Sequence, residues 1–336
     1  MLVSVILPTY NRANVVSRAI CSVLNQSYGN LELLVVDDGS TDGTRKAVEQ
    51  VADFRVKYIV HPRNRGVAAA RNTAIHQARG ELIAFLDSDD TWEQEKLELQ
   101  VEYLRAHSTV AGVISDAYCL DDTDKCVSLM RRTYVFWRML PEGTCPSGIT
   151  LDQRRMYLCL LEEDPVKMPT LVVRRKAMEN AGVFDETRLA GEDWEFLIRF
   201  ARDNEFGYID RPLAGIAAME DATHLRHLEA DKRGMWSTLR RERRRLRGDS
   251  EGRAAVRRGI ALISVRLGWH YSGIGCRKDA AMVLLKGFCE TGKAELLVRV
   301  PLALLPSGFS NFLKRAAKGR SMASRPGRRG ESRDGA

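Results

Sequence analysis

Leu31-Glu32-Leu33-Leu34-Val35-Val36-Asp37-Asp38-Gly39-Ser40 decides the reading of this chain, because a run rich in apolar and β-branched residues ends abruptly in two acids, a glycine and a serine. Such a run, closed by a turn signal, reads as a buried strand. The same pattern returns at Leu82 to Leu86, followed by Asp87-Ser88-Asp89-Asp90, so both sets of acids fall where a strand gives way to a loop. In open α/β sheets that is the edge at which ligands bind. Asp87 and Asp89 sit one small residue apart and can turn two carboxylates toward one point. That arrangement is unfavourable unless a cation lies between them.

Working outward, strands over residues 3–7, 31–36, 56–60, 82–86 and 110–115 alternate with helices over 13–25, 42–51, 66–78 and 93–106. The alternation predicts βαβ crossovers and a mostly parallel sheet with helices on both faces. Pro62 and Gly80 punctuate the third and fourth units, and the chain lacks the fixed-period self-similarity of a solenoid. At 336 residues and 44% apolar content the chain exceeds one average domain and can bury a sizeable core. Charge separates it in two. Residues 1–235 carry 29 Lys and Arg against 36 Asp and Glu, a net of −7, while residues 236–336 carry 23 against 8, a net of +15. The expected organisation is therefore an α/β domain over 1–235, a basic helical region over 236–317 and a disordered tail over 318–336, rich in Gly, Ser, Arg and Pro.

The seven cysteines are scattered, form no Cys-x-x-Cys pair and have no histidine cluster beside them, which argues against a structural zinc site. With Met1 leading straight into the first strand and no secretory signal, the reading is a reducing, cytoplasmic compartment.

Six blocks follow in order: Val3 to Arg12, including Pro8-Thr9-Tyr10-Asn11; Glu32 to Thr44; Asn64 to Asn72, including Arg71-Asn72; Gly80 to Trp92; Gly182-Val183-Phe184-Asp185-Glu186; and Gly191-Glu192-Asp193-Trp194 to Arg199. Together they resemble the family 2 glycosyltransferases, inverting enzymes of the GT-A fold that use nucleotide sugars. The resemblance covers roughly the first two thirds of the chain. It implies a nucleotide-diphosphate sugar donor, a UDP-sugar first, and a hydroxyl on a glycan or lipid-linked acceptor. It also implies a divalent cation, Mg²⁺ or Mn²⁺, held by oxygen ligands.

By the same resemblance, Pro8, Thr9 and Tyr10 sit against the base and Asp38 accepts from a base imide N–H. Arg71, whose guanidinium offers forked donors, approaches the nucleotide side. Asp87 and Ser88 line the donor site. Asp89 is the first metal ligand, with Asp87 on the ribose or the ion and Asp90 in support. Asp193 is the general base that takes the acceptor proton, with Glu192 next in line, and Asp185 shapes the acceptor pocket. Where many relatives carry Tyr-Arg and then His after the last core strand, this chain reads Leu213 to His224, so His224 stands as the metal-reaching histidine, with His227 as a rival.

Residues 236–336 carry no catalytic signature. Arg240 to Arg247 holds six arginines in eight residues, helical stretches follow near 252–271 and 276–290, and an apolar segment runs over 296–313. Arg299, Pro301 and Pro306 interrupt that segment, which falls short of the roughly 20 apolar residues of a spanning helix. Cations beside apolar anchors suit an anionic membrane surface, and equally a helical bundle buried on itself or on a second subunit. Two other classes carry less. A nucleic-acid-binding protein would need a recognition motif or interleaved aromatics that the basic third lacks. A nucleotidyltransferase would carry a glycine-rich phosphate loop after the first strand, and Pro8 to Asn14 contains no glycine.

Overall fold

The computed structural model describes residues 1–120, 128–130, 133–140, 147–217 and 222–304, without the side chains of 222–228. Strands β1 (Val3–Thr9), β2 (Leu31–Asp37), β3 (Val56–Val60) and β4 (Leu82–Phe85) run parallel in the order β3-β2-β1-β4. They alternate with α1 (Val16–Leu24), α2 (Thr44–Glu49) and α3 (Val67–Gln77). β1, β2 and β4 are buried along their whole length, as continuous apolar runs covered on both faces must be.

Beyond β4 the sheet departs from simple alternation. After β5 (Thr91–Trp92), α4 (Lys96–Ala106) leads into β6 (Val110–Cys119), and then come α5 (Tyr134–Met139), β7 (Ile149–Leu151) and α6 (Gln153–Glu162). β8 (Leu171–Arg174) inserts antiparallel between β4 and β6. After α7 (Arg175–Ala181) and α8 (Glu192–Ala201), β9 (Glu205–Ile216) pairs parallel to β6 and antiparallel to β5 and β7. The described residues thus form a nine-stranded mixed sheet whose first half is parallel. The sequence reading missed β5, β7, β8 and β9. β8 spans only four residues between a turn and a helix, and short segments of that kind carry little periodicity.

The charge break near Met235 falls inside α9 (Ala222–Arg245), where Met235 is fully buried. Arg188 donates to Thr238 Oγ1, Tyr157 and Arg202 donate to Glu242, and Arg241 donates to Glu195, so α9 is tied to the sheet-bearing part of the chain. That compact unit extends over Met1–Gly259, into α10 (Ser250–Gly273). The second unit, Ile260–Ala336, holds the rest of α10, α11 (Arg277–Thr291) and α12 (Ala294–Leu304). There the helices approach closely at glycines: Gly268 meets Leu284, and Gly287 meets Ser264 and Leu296. No helix among the described residues is long and apolar enough to cross a membrane. Leu305, Phe309 and Phe312 of the apolar segment lie outside the described residues.

Candidate active site

β1 has β2 on one side and β4 on the other, so the connections leave β1 in opposite directions and open a crevice at the carboxyl ends. Pro8 and Thr9 end β1, opposite Val36 and Asp37 of β2. Thr9 is buried with no partner for its Oγ1, and Tyr10 just beyond is 42% exposed. Asn11 takes the left-handed conformation at φ 52° and latches the two loops together: its Oδ1 accepts from Thr41 N (2.8 Å) and its N donates to Ser40 Oγ (2.9 Å). Ser40 and Thr41 therefore join loops, while Gly43 occupies the N-cap of α2.

Asp37 and Asp38 face different partners. Asp37 accepts from Ser40 N (2.7 Å) and from the Tyr58 hydroxyl (2.5 Å). Asp38 is buried and accepts from Arg65 N (3.0 Å) and Gly66 N (2.7 Å), with His61 Nδ1 2.6 Å away. His61 Nε2 in turn lies 2.9 Å from Thr73 Oγ1. Asp38 thus organises the whole 61–66 loop. The loop closes so tightly that a Cβ at Gly39, where φ is +79°, would come 2.7 Å from the Arg63 carbonyl carbon.

Arg71 lies deeper than the resemblance implied. Its guanidinium is 4% exposed and forks between two carboxylates, donating to Asp87 Oδ1 (2.9 Å) and to Glu192 Oε1 (2.7 Å), 5.4 Å over the Phe184 ring. Burial opposes its charge, but the combined field of Asp87, Glu192 and Asp193 raises its proton affinity above the ordinary arginine value. Its neighbour Asn72 accepts from Phe184 N (3.0 Å) and donates to Phe184 O and Glu186 (both 2.9 Å). Two adjacent side chains of α3 thereby fasten the 182–192 segment to the end of β4.

The acids after β4 separate by environment. Ser88 and Asp90 are buried, whereas the Asp87 and Asp89 side chains are 33% and 39% exposed. Burial first, and then the charge of Asp87, pushes Asp90 up to about 8, while its Oδ1 accepts from Ala217 N (2.8 Å). Arg18 donates to Asp89 O (2.8 Å) and Arg12 lies 3.6 Å from its carboxylate.

Across the crevice, α8 begins at Gly191, which adopts φ 74° and makes no side-chain cap. Glu192 and Asp193 stand in the first turn. Burial, and next the charge of Asp193, pushes Glu192 up to about 7 against the pull of Arg71. Asp193 is half-buried and its Oδ1 accepts from Trp194 N (2.7 Å). Arg199 of the same helix donates to the carbonyls of Ala181, Gly182 and Val183, fixing the turn before Phe184. Asp185 is engaged within its own loop, accepting from Thr187 and pairing with Arg188.

This arrangement matches a known family. The sequence profile of Glycosyl transferase family 2 matches residues 4–176, just over half of the chain. The chain belongs to the family 2 glycosyltransferases. It is 50% identical over 103 residues to the UDP-Glc:alpha-D-GlcNAc-diphosphoundecaprenol beta-1,3-glucosyltransferase WfgD of Escherichia coli, a match covering 31% of this chain and 41% of WfgD. The match thus spans less than half the length of that relative. Among solved structures, S. aureus TarS 1–349 in complex with UDP-GlcNAc superposes with a TM-score of 0.64 at 19% identity, covering 98% of this chain and 93% of that one. The mannosyltransferase PcManGT from Pyrobaculum calidifontis, in complex with GDP-Man and Mn²⁺, gives 0.55 at 22% identity, covering 96% and 88%. These likenesses show the shared GT-A fold.

In this glycosyltransferase the structure brings Arg71, Asp87, Glu192 and Asp193 together around one guanidinium. Pro8, Thr9, Tyr10 and Asp38 lie at the ends of β1 and β2, on the neighbouring side of the crevice. The His224 and His227 side chains lie outside the described ones. His61 and Asn72 went unread in the sequence. Asn72 stood in plain sight beside Arg71, but its partner lies 112 residues away.

Proposed function

We propose that this chain moves a sugar from a UDP-sugar to a hydroxyl of a glycan or lipid-linked acceptor, with inversion and with a divalent cation at Asp89 and Asp87. The observation that carries this reading is the Arg71 fork, which holds the acids after β4 and those opening α8 on two sides of one crevice. WfgD is named for a UDP-glucose donor and a diphosphoundecaprenol-linked acceptor, and TarS has been solved with UDP and with UDP-GlcNAc. The first supports a place in the assembly of a lipid-linked envelope polysaccharide, and the second a uridine-nucleotide donor.

In this reading Pro8, Thr9 and Tyr10 bracket the base, and the unpartnered Thr9 hydroxyl is free for a donor atom. Asp38 would divide its carboxylate between the base imide and the 61–66 loop. Arg71 acts by holding Asp87 and Glu192, while Ser88 lines the sugar side. The side chains suit a hard cation. Asp87 and Asp89 offer carboxylate oxygens at a partly exposed rim, and Mg²⁺ or Mn²⁺ in such sites takes one or two carboxylates, completing its shell with phosphate oxygens and water. His224 is a further candidate ligand. A bound cation would neutralise the charge that develops on the leaving diphosphate. Asp193 accepts the proton of the acceptor hydroxyl as its oxygen attacks the anomeric carbon. The bond from that carbon to the diphosphate oxygen breaks, and UDP departs with the electron pair from the opposite face, which inverts the centre.

Replacing Asp89 by asparagine keeps side-chain volume and removes charge. Calorimetric titration of UDP with and without Mn²⁺ is expected to show metal-dependent affinity in the wild type and none in the variant. An unchanged metal dependence would take Asp89 out of the metal site.

The proposed location is cytoplasmic, with residues 236–317 holding the enzyme on the membrane face near its acceptor. The +15 charge of residues 236–336 supports this, as do the exposed Trp269, Ile274, Val298 and Leu302 of the second unit. Nucleic acid is not a partner in this reading. In vesicle sedimentation the chain is expected to pellet with anionic lipid at low salt and to be partly released at high salt, as screening shortens the reach of its charges but leaves apolar burial in place. A chain that stays in the supernatant with anionic vesicles at low salt sinks the membrane role and leaves helical packing or oligomerisation for this region.

A further inference from the structure

The turn that follows β1 is fastened through its main chain. Asn11 N donates to Ser40 Oγ (2.9 Å), Arg12 N to Thr44 Oγ1 (2.8 Å) and Ala13 N to Asp42 Oδ2 (3.1 Å), so three successive amides are tied to the segment that leads into α2. Asp42 is itself held, because its Oδ1 accepts from Thr44 N (2.9 Å) and from the Thr44 hydroxyl (2.5 Å). On the other side Arg12 O accepts from Val15 N and Val16 N (both 3.0 Å), where α1 opens. Both main-chain groups of Arg12 are therefore committed, and its side chain is presented from a fixed base.

That side chain reaches Asp89. Arg12 Nε lies 3.6 Å from Asp89 Oδ2, and both side chains remain about a third exposed, at the rim of the crevice. Two other arginines stand near the acids after β4, but in different ways. Arg18, in the first turn of α1, donates to the Asp89 carbonyl and not to its carboxylate. Arg71 is buried and divided between Asp87 and Glu192. A divalent ion on Asp89 Oδ2 would therefore share that oxygen with the Arg12 guanidinium, and like charges so close weaken each other's hold. Solvent at the rim reduces the repulsion without changing its sign. A diphosphate reverses it, since its oxygens can bind an ion and accept from a guanidinium fork at the same time.

We infer, on the donor and cation assigned under Proposed function, that Arg12 makes cation binding conditional on the nucleotide: its guanidinium opposes a divalent ion on Asp89 until a diphosphate is there to compensate both. Ion and nucleotide then strengthen each other's binding by more than their direct contact supplies, and that coupling acts equally on the two. The enzyme binds the ion weakly by itself and loads it together with the donor. When the nucleotide diphosphate departs, the same repulsion helps the ion to follow.

The test is Arg12→Gln in the full chain, with Mn²⁺ binding followed by electron paramagnetic resonance of the free ion, alone and in saturating UDP. Mn²⁺ alone is expected to bind the variant about five- to tenfold more tightly than the wild type, the size of one unit charge near a divalent ion at a partly exposed site. In saturating UDP the two proteins should agree within about twofold, because the diphosphate by then compensates the guanidinium. The factor by which UDP strengthens Mn²⁺ binding therefore falls about five- to tenfold, and calorimetry of UDP with and without Mn²⁺ should return the same factor. A residue that merely braced the site would weaken the ion when removed. Arg12→Lys keeps the charge and should leave the affinity for Mn²⁺ alone at the wild-type value. Mn²⁺ alone binding the glutamine variant no more tightly than the wild type, a gain of equal size with and without UDP, or a lysine variant that behaves like the glutamine one each overturn the inference. A wild type whose UDP binding ignores Mn²⁺ defeats the cation assignment itself, which the wild-type titrations read before any variant is made.

Discussion

Asp193→Asn is expected to bind UDP-sugar as tightly as the wild type and to transfer it about 10² to 10⁴ times more slowly, the range for loss of a general base. A base acts on a proton that moves only in the transition state, so its removal lowers kcat and spares ground-state affinity. The geometry favours Asp193 over its neighbour. Glu192 is buried and committed to Arg71, so it is poorly placed to collect a proton from an incoming hydroxyl. Asp193 is half-buried and shares only one oxygen with the backbone of Trp194. Steady-state kinetics beside calorimetric donor binding separate the two. A variant that transfers sugar at near wild-type rate places the base elsewhere, and Glu192→Gln becomes the next variant to measure.

How much of this was readable in advance depended on where each residue finds its partner. The runs 31–36 and 82–86 are apolar throughout because both faces of their strands are covered, and that pattern is local. The first four strands, their helices and the acids at their ends therefore came directly from the sequence. β8 and β9 did not, because an antiparallel strand inserted between β4 and β6 is fixed by pairing across many residues and not by its own short run. The same holds within the site. Arg71 offered a fork suited to a phosphate, and its pairing with carboxylates instead turns on Glu192, 121 residues away. Composition also misled at the boundary. Charge counts register what lies on a surface, so they change at Met235, whereas packing continues through α9 to Gly259 because Glu242 and Thr238 bind side chains of the first unit.

Arg71→Ala is expected to be the most damaging single change to the fold of the site, at about 3–5 kcal/mol, the cost of removing one partner from a buried ion pair. The loss exceeds that of a surface bridge because the guanidinium serves two carboxylates at once. Without it Asp87 and Glu192 face each other and Asp193 with no counter-charge. The sign of the pH dependence follows. Glu192 is already pushed up to about 7 with Arg71 present, and removing the cation raises it further. Its penalty applies in full above that raised value and vanishes below the ordinary 4.5, where Glu192 is neutral in both folded and unfolded chains. Urea unfolding of the two proteins should therefore differ most at pH 8 and least near pH 4.5. Arg71→Lys should fall between them, since a single ammonium lacks the planar fork that reaches both acids. Equal midpoints for the alanine variant and the wild type at pH 8 would mean that the two halves of the crevice are held together by something other than this clamp.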